Sequence, residues 1–178
     1  MTMQKIEMAK SFESSKTSAV MVNWYEGAVT NAPRRPVVPD EFADGAVGLR
    51  AIYGELRSLC ISDPTEENSQ PSDSALARTW EILEGTAYAM MQNRVDADRS
   101  WDFPKGYVNV DDCGGIRIEW WHGRSHCVTL VVGHDANAPT YIFVKSGTAD
   151  DGRMIRRVYP NRLALRLHEL IQESTSQG

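Results

Sequence analysis

The chain has few of the features from which a function is usually read. No run of about 18 apolar residues occurs, so no bilayer-spanning helix is expected. The N-terminus lacks the continuous apolar segment of a secretory signal. Cysteine is scarce. Cys60, Cys113 and Cys127 are an odd set without framework spacing, which suits a reducing, cytoplasmic setting rather than a disulfide scaffold. Positive charge is not in excess. With 19 Lys and Arg against 24 Asp and Glu the net charge is -5, so bulk attraction to nucleic acid or anionic membrane is not expected. There is no phosphate-binding glycine loop, no nucleophile elbow, no HExxH motif and no internal repeat. These absences weigh against an enzyme. They imply no cofactor and no membrane partner.

What is present starts with size. A chain of 178 residues suits one domain with a real core and an appended arm. Residues 1 to 39 read as that arm. Met1 to Ser18 is polar and weakly patterned, whereas residues 19 to 25, Ala-Val-Met-Val-Asn-Trp-Tyr, could form one short strand. Pro33, Pro36 and Pro39 then make a stiff linker. Residues 40 to 178 read as a single domain.

Within that domain two helices come first. Phe42, Leu49, Ile52, Tyr53, Leu56, Leu59 and Cys60 recur at three- and four-residue steps. Gly45 and Gly48 weaken the first turns, so the firm helix is expected from near Ala46. A loop over residues 61 to 73 leads to a second helix capped by Asp73 or Ser74, with Leu76, Trp80, Leu83, Ala87 and Met90 on one stripe. Arg94 to Pro104 is an irregular crossing. Strands follow at residues 107 to 110, 115 to 121, 126 to 132 and 141 to 144, with an edge strand at 154 to 158. Asn161 caps a last helix with Leu163, Leu167, Leu170 and Ile171 on one stripe. The predicted class is α+β: two N-terminal helices, an antiparallel meander of four to five strands and a C-terminal helix, with the helices on one sheet face.

The central hairpin sets the faces. Gly123-Arg124 suits a two-residue type II′ turn. That choice pairs Ser125 with His122, Cys127 with Trp120 and Val131 with Ile116. Ile116, Ile118, Trp120, Cys127, Thr129 and Val131 should then meet the core. Arg117, Glu119, Trp121, His126, Val128 and Leu130 should form a mixed face, more apolar than water alone would explain.

Residues 104 to 120 read Pro-x-x-Tyr-Val-x-Val-x-x-x-Gly-Gly-Ile-x-Ile-Glu-Trp. This pattern resembles a group of small prokaryotic proteins with a GGI-x-[IL]-E-W hairpin and a leucine-rich C-terminal helix. The resemblance runs from about Ser72 to Ile171. It implies the same α+β fold and a role as an operon companion, in some cases within antiviral defence, toxin-antitoxin or CRISPR-type systems. It carries over no activity and no catalytic residue.

Candidate chemistry is sparse. Cys113, His122, His126, Cys127 and His134 fall close in sequence and invite zinc. On the two-residue turn, however, His122 and Cys127 face one way and His126 the other. His126 and His134 lie roughly 26 Å apart along a strand. No metal is therefore expected, and a metal-dependent hydrolase is the weakest alternative. Cys113 has the acids Asp111 and Asp112 beside it, where a reactive thiolate needs positive surroundings. Asp111-Asp112 and Asp150-Asp151 read as solvated turn acids. Arg153, Arg156, Arg157, Arg162 and Arg166 could make a nucleic-acid or anion ridge, although Asp150, Asp151, Glu169 and Glu173 flank it. The remaining reading is a non-catalytic accessory protein. It would hold a partner protein through Arg117, Trp121, His126, Val128 and Leu130, and through Trp24 of the arm.

Overall fold

A computed structural model describes residues 45–61, 70–93, 102–147 and 152–175. The predicted arm, with its strand at residues 19 to 25 and Trp24, lies outside the described residues. The order of elements is α1 (Val47–Ile61), α2 (Asp73–Gln92), β1 (Tyr107–Val110), β2 (Ile116–His122), β3 (His126–Val132), β4 (Tyr141–Lys145), β5 (Arg153–Ile155) and α3 (Pro160–Thr175). The strands form one antiparallel meander in sequence order. The fold is α+β, as the periodicities predict. No helix among the described residues is long and apolar enough to cross a membrane.

The core lies between the helices and one sheet face. Ile116, Ile118, Trp120, Val128, Leu130, Val132 and Ile142 meet Ile52 and Leu56 of α1, Leu83 of α2, and Leu163 and Leu167 of α3. The predicted stripes of the three helices supply these contacts. Trp80 and Met90, expected on the α2 stripe, are only partly buried against this core.

Several boundaries move for local reasons. Ser72, not Asp73 or Ser74, caps α2: its hydroxyl accepts from the Ala75 amide at 3.1 Å. The same residue ties down two turns. Its amide donates to the Gly114 carbonyl at 2.9 Å, and its hydroxyl donates to the His134 carbonyl. Helix α3 begins at Pro160, one residue before the predicted cap Asn161. Proline suits a first helical position because the missing N–H would have no partner there. Strand β5 ends at Ile155, so Arg156 and Arg157 follow it instead of lying in it.

The largest correction concerns the hairpin register. His122 pairs with His126, Trp121 with Cys127, Trp120 with Val128 and Ile116 with Val132. Three residues, Gly123 to Ser125, make the reversal. Gly123 does take positive φ (59°), but the loop is one residue longer than a type II′ turn. Because side chains alternate, a one-residue shift turns every β3 side chain over. Val128 and Leu130, expected on the partner-binding face, are 2% and 0% exposed and belong to the core. Cys127, Thr129 and Val131 take the opposite face. The physical reason is apolar content. Val128, Leu130 and Val132 give the core three aliphatic side chains, whereas the alternative set brings a hydroxyl and a thiol.

One backbone donor of the edge strand β1 is met by a side chain. The Val108 amide donates to the Glu55 carboxylate of α1 at 3.2 Å. An edge donor that could pair with another strand is thereby satisfied within the chain.

Candidate functional site: the outer sheet face

Every described helix packs on the face that carries Trp120. The opposite face can be assembled row by row from the pairing. One row is Asn109, Arg117, Val131 and Tyr141. The next is Tyr107, Glu119, Thr129, Phe143 and Met154. The last is Trp121, Cys127 and Lys145. Tyr107, Trp121 and Met154 are 57%, 46% and 50% exposed, so these large apolar side chains stand in solvent. Cys127 and Thr129 are buried in the middle of the face, flanked by larger neighbours in their rows. The Phe143 ring lies over Gly152, where a side chain would collide with it.

Trp121 is held in a defined pose. Its Nε1 donates to Glu119 Oε2 at 3.1 Å, and Glu119 Oε1 lies 4.0 Å from Arg117. These residues sit two apart on β2, so all three project from one face. The ion pair is exposed and contributes little stability. Its effect is to limit the rotamers open to a large aromatic before any partner arrives, which lowers the ordering cost of binding.

Of the residues assigned to partner binding from sequence, Arg117 and Trp121 lie on this face. His126 does not. It stands opposite His122, on the side of the sheet that carries Trp120 and Val128. Tyr107, Tyr141, Phe143 and Met154 join the face, and hairpin reasoning missed them. Their alternation is visible in the sequence, but assigning it a side requires the turn lengths that link each strand to β2.

The sites weighed as alternatives look different in three dimensions. Arg153, Arg156, Arg157 and Arg162 are exposed. Arg162 stacks 5.5 Å from the Tyr159 ring and donates to the Arg157 carbonyl at 3.4 Å, while Arg166 pairs with Glu169 at 2.6 Å. Two of the five arginines are thus engaged within the chain. Among the described residues no group of three His, Cys, Asp or Glu side chains could hold a metal ion. Cys113 is exposed, and its amide donates to Asp111 Oδ1 at 3.0 Å. Asp111 Oδ1 also accepts from the Gly115 amide at 2.7 Å, so this acid organises its turn. Asp135 does the same in the β3–β4 loop. Amides of Ala138 and Asn137 hold its carboxyl below the usual range, with the neighbouring His134 helping. Burial pushes the Cys127 thiol up, which opposes thiolate chemistry.

One polar feature lies elsewhere, between α1 and α2. The hydroxyl of Tyr53 and the indole N–H of Trp80 are buried without a hydrogen-bond partner. Burial, and after it the charge of Glu84, pushes the Tyr53 hydroxyl up; burial also raises Glu84. A buried hydroxyl without a partner costs stability. Tyr53→Phe should therefore leave the domain as stable as before or raise it by about 1 kcal/mol, read by urea unfolding. A loss above about 1 kcal/mol would show that the hydroxyl has a partner.

Comparison of this chain with protein-family models, with curated proteins and with solved structures finds no match.

Proposed function

We propose that this protein is a non-catalytic accessory protein that binds a partner protein through the outer face of its sheet. Trp121 is the anchor, with Tyr107, Arg117, Tyr141, Phe143 and Met154 around it. The carrying observation is that, among the described residues, all three helices lie on the other face while this one keeps exposed aromatics and Met154 among a few charges. Aromatic anchors rimmed by polar groups are the usual composition of an interface hot spot. The resemblance of residues 104 to 120 to small prokaryotic operon companions makes a defence or toxin system the setting proposed for that partner.

A photo-crosslinking residue placed at position 121 tests this in the native host. It should trap one protein species. The same residue at Leu165, which is 52% exposed on α3, should not. Trp121→Ala should abolish crosslinking from position 107 while changing stability by no more than about 1 kcal/mol. Equal crosslinking from positions 121 and 165 would remove the sheet face from consideration.

The nucleic-acid alternative has less support, because Arg162 and Arg166 already have partners within α3 and its approach. It predicts retention on DNA that weakens steeply with salt and is lost in an Arg153→Ala, Arg156→Ala double variant.

A further inference from the structure

Strand β3 is the middle strand of the five, and exposed apolar side chains stand on both sides of it: Tyr107 on β1, Trp121 on β2 and Met154 on β5. The apolar surface thus runs from one edge of the sheet to the other, broader than a single extended peptide covers. Its charges are of both signs, with Arg117 and Glu119 side by side on β2. A two-fold axis laid along β3 exchanges β1 with β5 and β2 with β4. In the pairing register it sets Tyr107 against Met154 of a second copy and Arg117 against Tyr141. Val131 and Thr129 then meet their own images, and no like charges face each other. A centred axis across the strands instead brings Glu119 against Glu119, which repels.

We propose that the occupant of the outer face is a second copy of this chain, packed sheet on sheet about a two-fold axis along β3. This rests on the outer-face reading and names its partner. The pairing across the axis is complementary in kind. Methionine sulfur against an aromatic ring attracts, as does a guanidinium over a tyrosine ring. Trp121 falls against the hydrocarbon stem of Lys145, a contact that does not use the ammonium. Sheets packed in this way stand about 10 Å apart, with strands crossing at about 30°. Four interstrand spacings by three side-chain rows cover roughly 400 Å2 per copy in plan. That is below the roughly 800 Å2 per partner of a standard interface, so the dimer is weak and concentration-dependent.

Sedimentation equilibrium of the full chain under reducing conditions tests for the dimer. The mean mass should rise from one chain towards two as concentration climbs from micromolar to millimolar. Trp121→Ala should weaken association by about tenfold or more, and Leu165→Ala on α3 should leave it unchanged. The axis is tested with a short bismaleimide, because a gap of about 10 Å exceeds the reach of a disulfide. In a Cys113→Ser, Cys127→Ser background that does not itself link, Val131→Cys should link to its own image. A mixture of Tyr107→Cys and Met154→Cys chains should link, whereas either chain alone should not. A monomer at millimolar concentration, a dimer indifferent to Trp121→Ala, or linkage of Tyr107→Cys to itself overturns the proposal. If position 121 still traps a different protein in the native host, only the second copy is overturned; if it traps nothing, the outer-face reading falls as well.

Discussion

Trp120→Ala should destabilise the domain by about 3–5 kcal/mol, while Trp121→Ala, one residue along the same strand, should cost about 1 kcal/mol or less. For a domain of this size that is a fall in Tm of roughly 10 °C against a few degrees. The difference follows from where the two indoles go. Trp120 is wholly buried. Phe103 meets it edge-on with centroids 6.4 Å apart, and its Nε1 donates to the Pro104 carbonyl at 3.1 Å. Gly106 has no side chain where one would lie 2.8 Å from both Trp120 and Ile118. Truncation would thus leave a large cavity and an orphaned carbonyl at once. Trp120→Phe should recover part of the packing but not the hydrogen bond, and should fall between the two. Chemical denaturation with near-ultraviolet circular dichroism reads all three. Equal losses for Trp120→Ala and Trp121→Ala would contradict the assignment of faces.

Gly48→Ala should cost at least about 3 kcal/mol, at the upper end of overpacking effects. Helix propensity alone gives the opposite sign, since alanine is favoured over glycine within a helix by about 1 kcal/mol. Sterics decide the outcome. A Cβ at Gly48 would stand 2.1 Å from the Phe103 carbonyl oxygen and 2.5 Å from the Pro104 carbonyl carbon. Both are backbone atoms, which cannot step aside as a flexible side chain does. The segment is held there as well, because the Phe103 amide donates to the Gly45 carbonyl at 2.8 Å. Gly54 of the same helix is the control. It is exposed, nothing lies within 4 Å of its Cβ position, and Gly54→Ala should stabilise by about 0.5–1 kcal/mol. If both variants stabilise alike, α1 does not rest on residues 103 and 104.

Gly48 also shows the limit of reading glycine from sequence. At that level it is a weak point in the first turn of a helix. In the fold it is a point of close approach between α1 and the chain that enters the sheet. Both descriptions use the same missing Cβ. Only the neighbour, more than fifty residues away in sequence, separates them.

The sequence by itself determined which segments become helix and which become strand, because periods of about 3.6 and 2 are written in consecutive residues. It also determined the meander, since short polar turns leave antiparallel neighbours as the natural pairing, and it placed Ile116, Ile118 and Trp120 on the core side. The tertiary structure decided the side taken by β3. That depends on one residue of loop length, and the neighbouring strands and helices settle it by admitting Val128, Leu130 and Val132. The same decision placed His122 against His126 and gathered Tyr107, Tyr141, Phe143 and Met154 around Trp121. Local pattern carries the identity of an element, whereas the partner of each face is set by contacts between residues far apart in the chain.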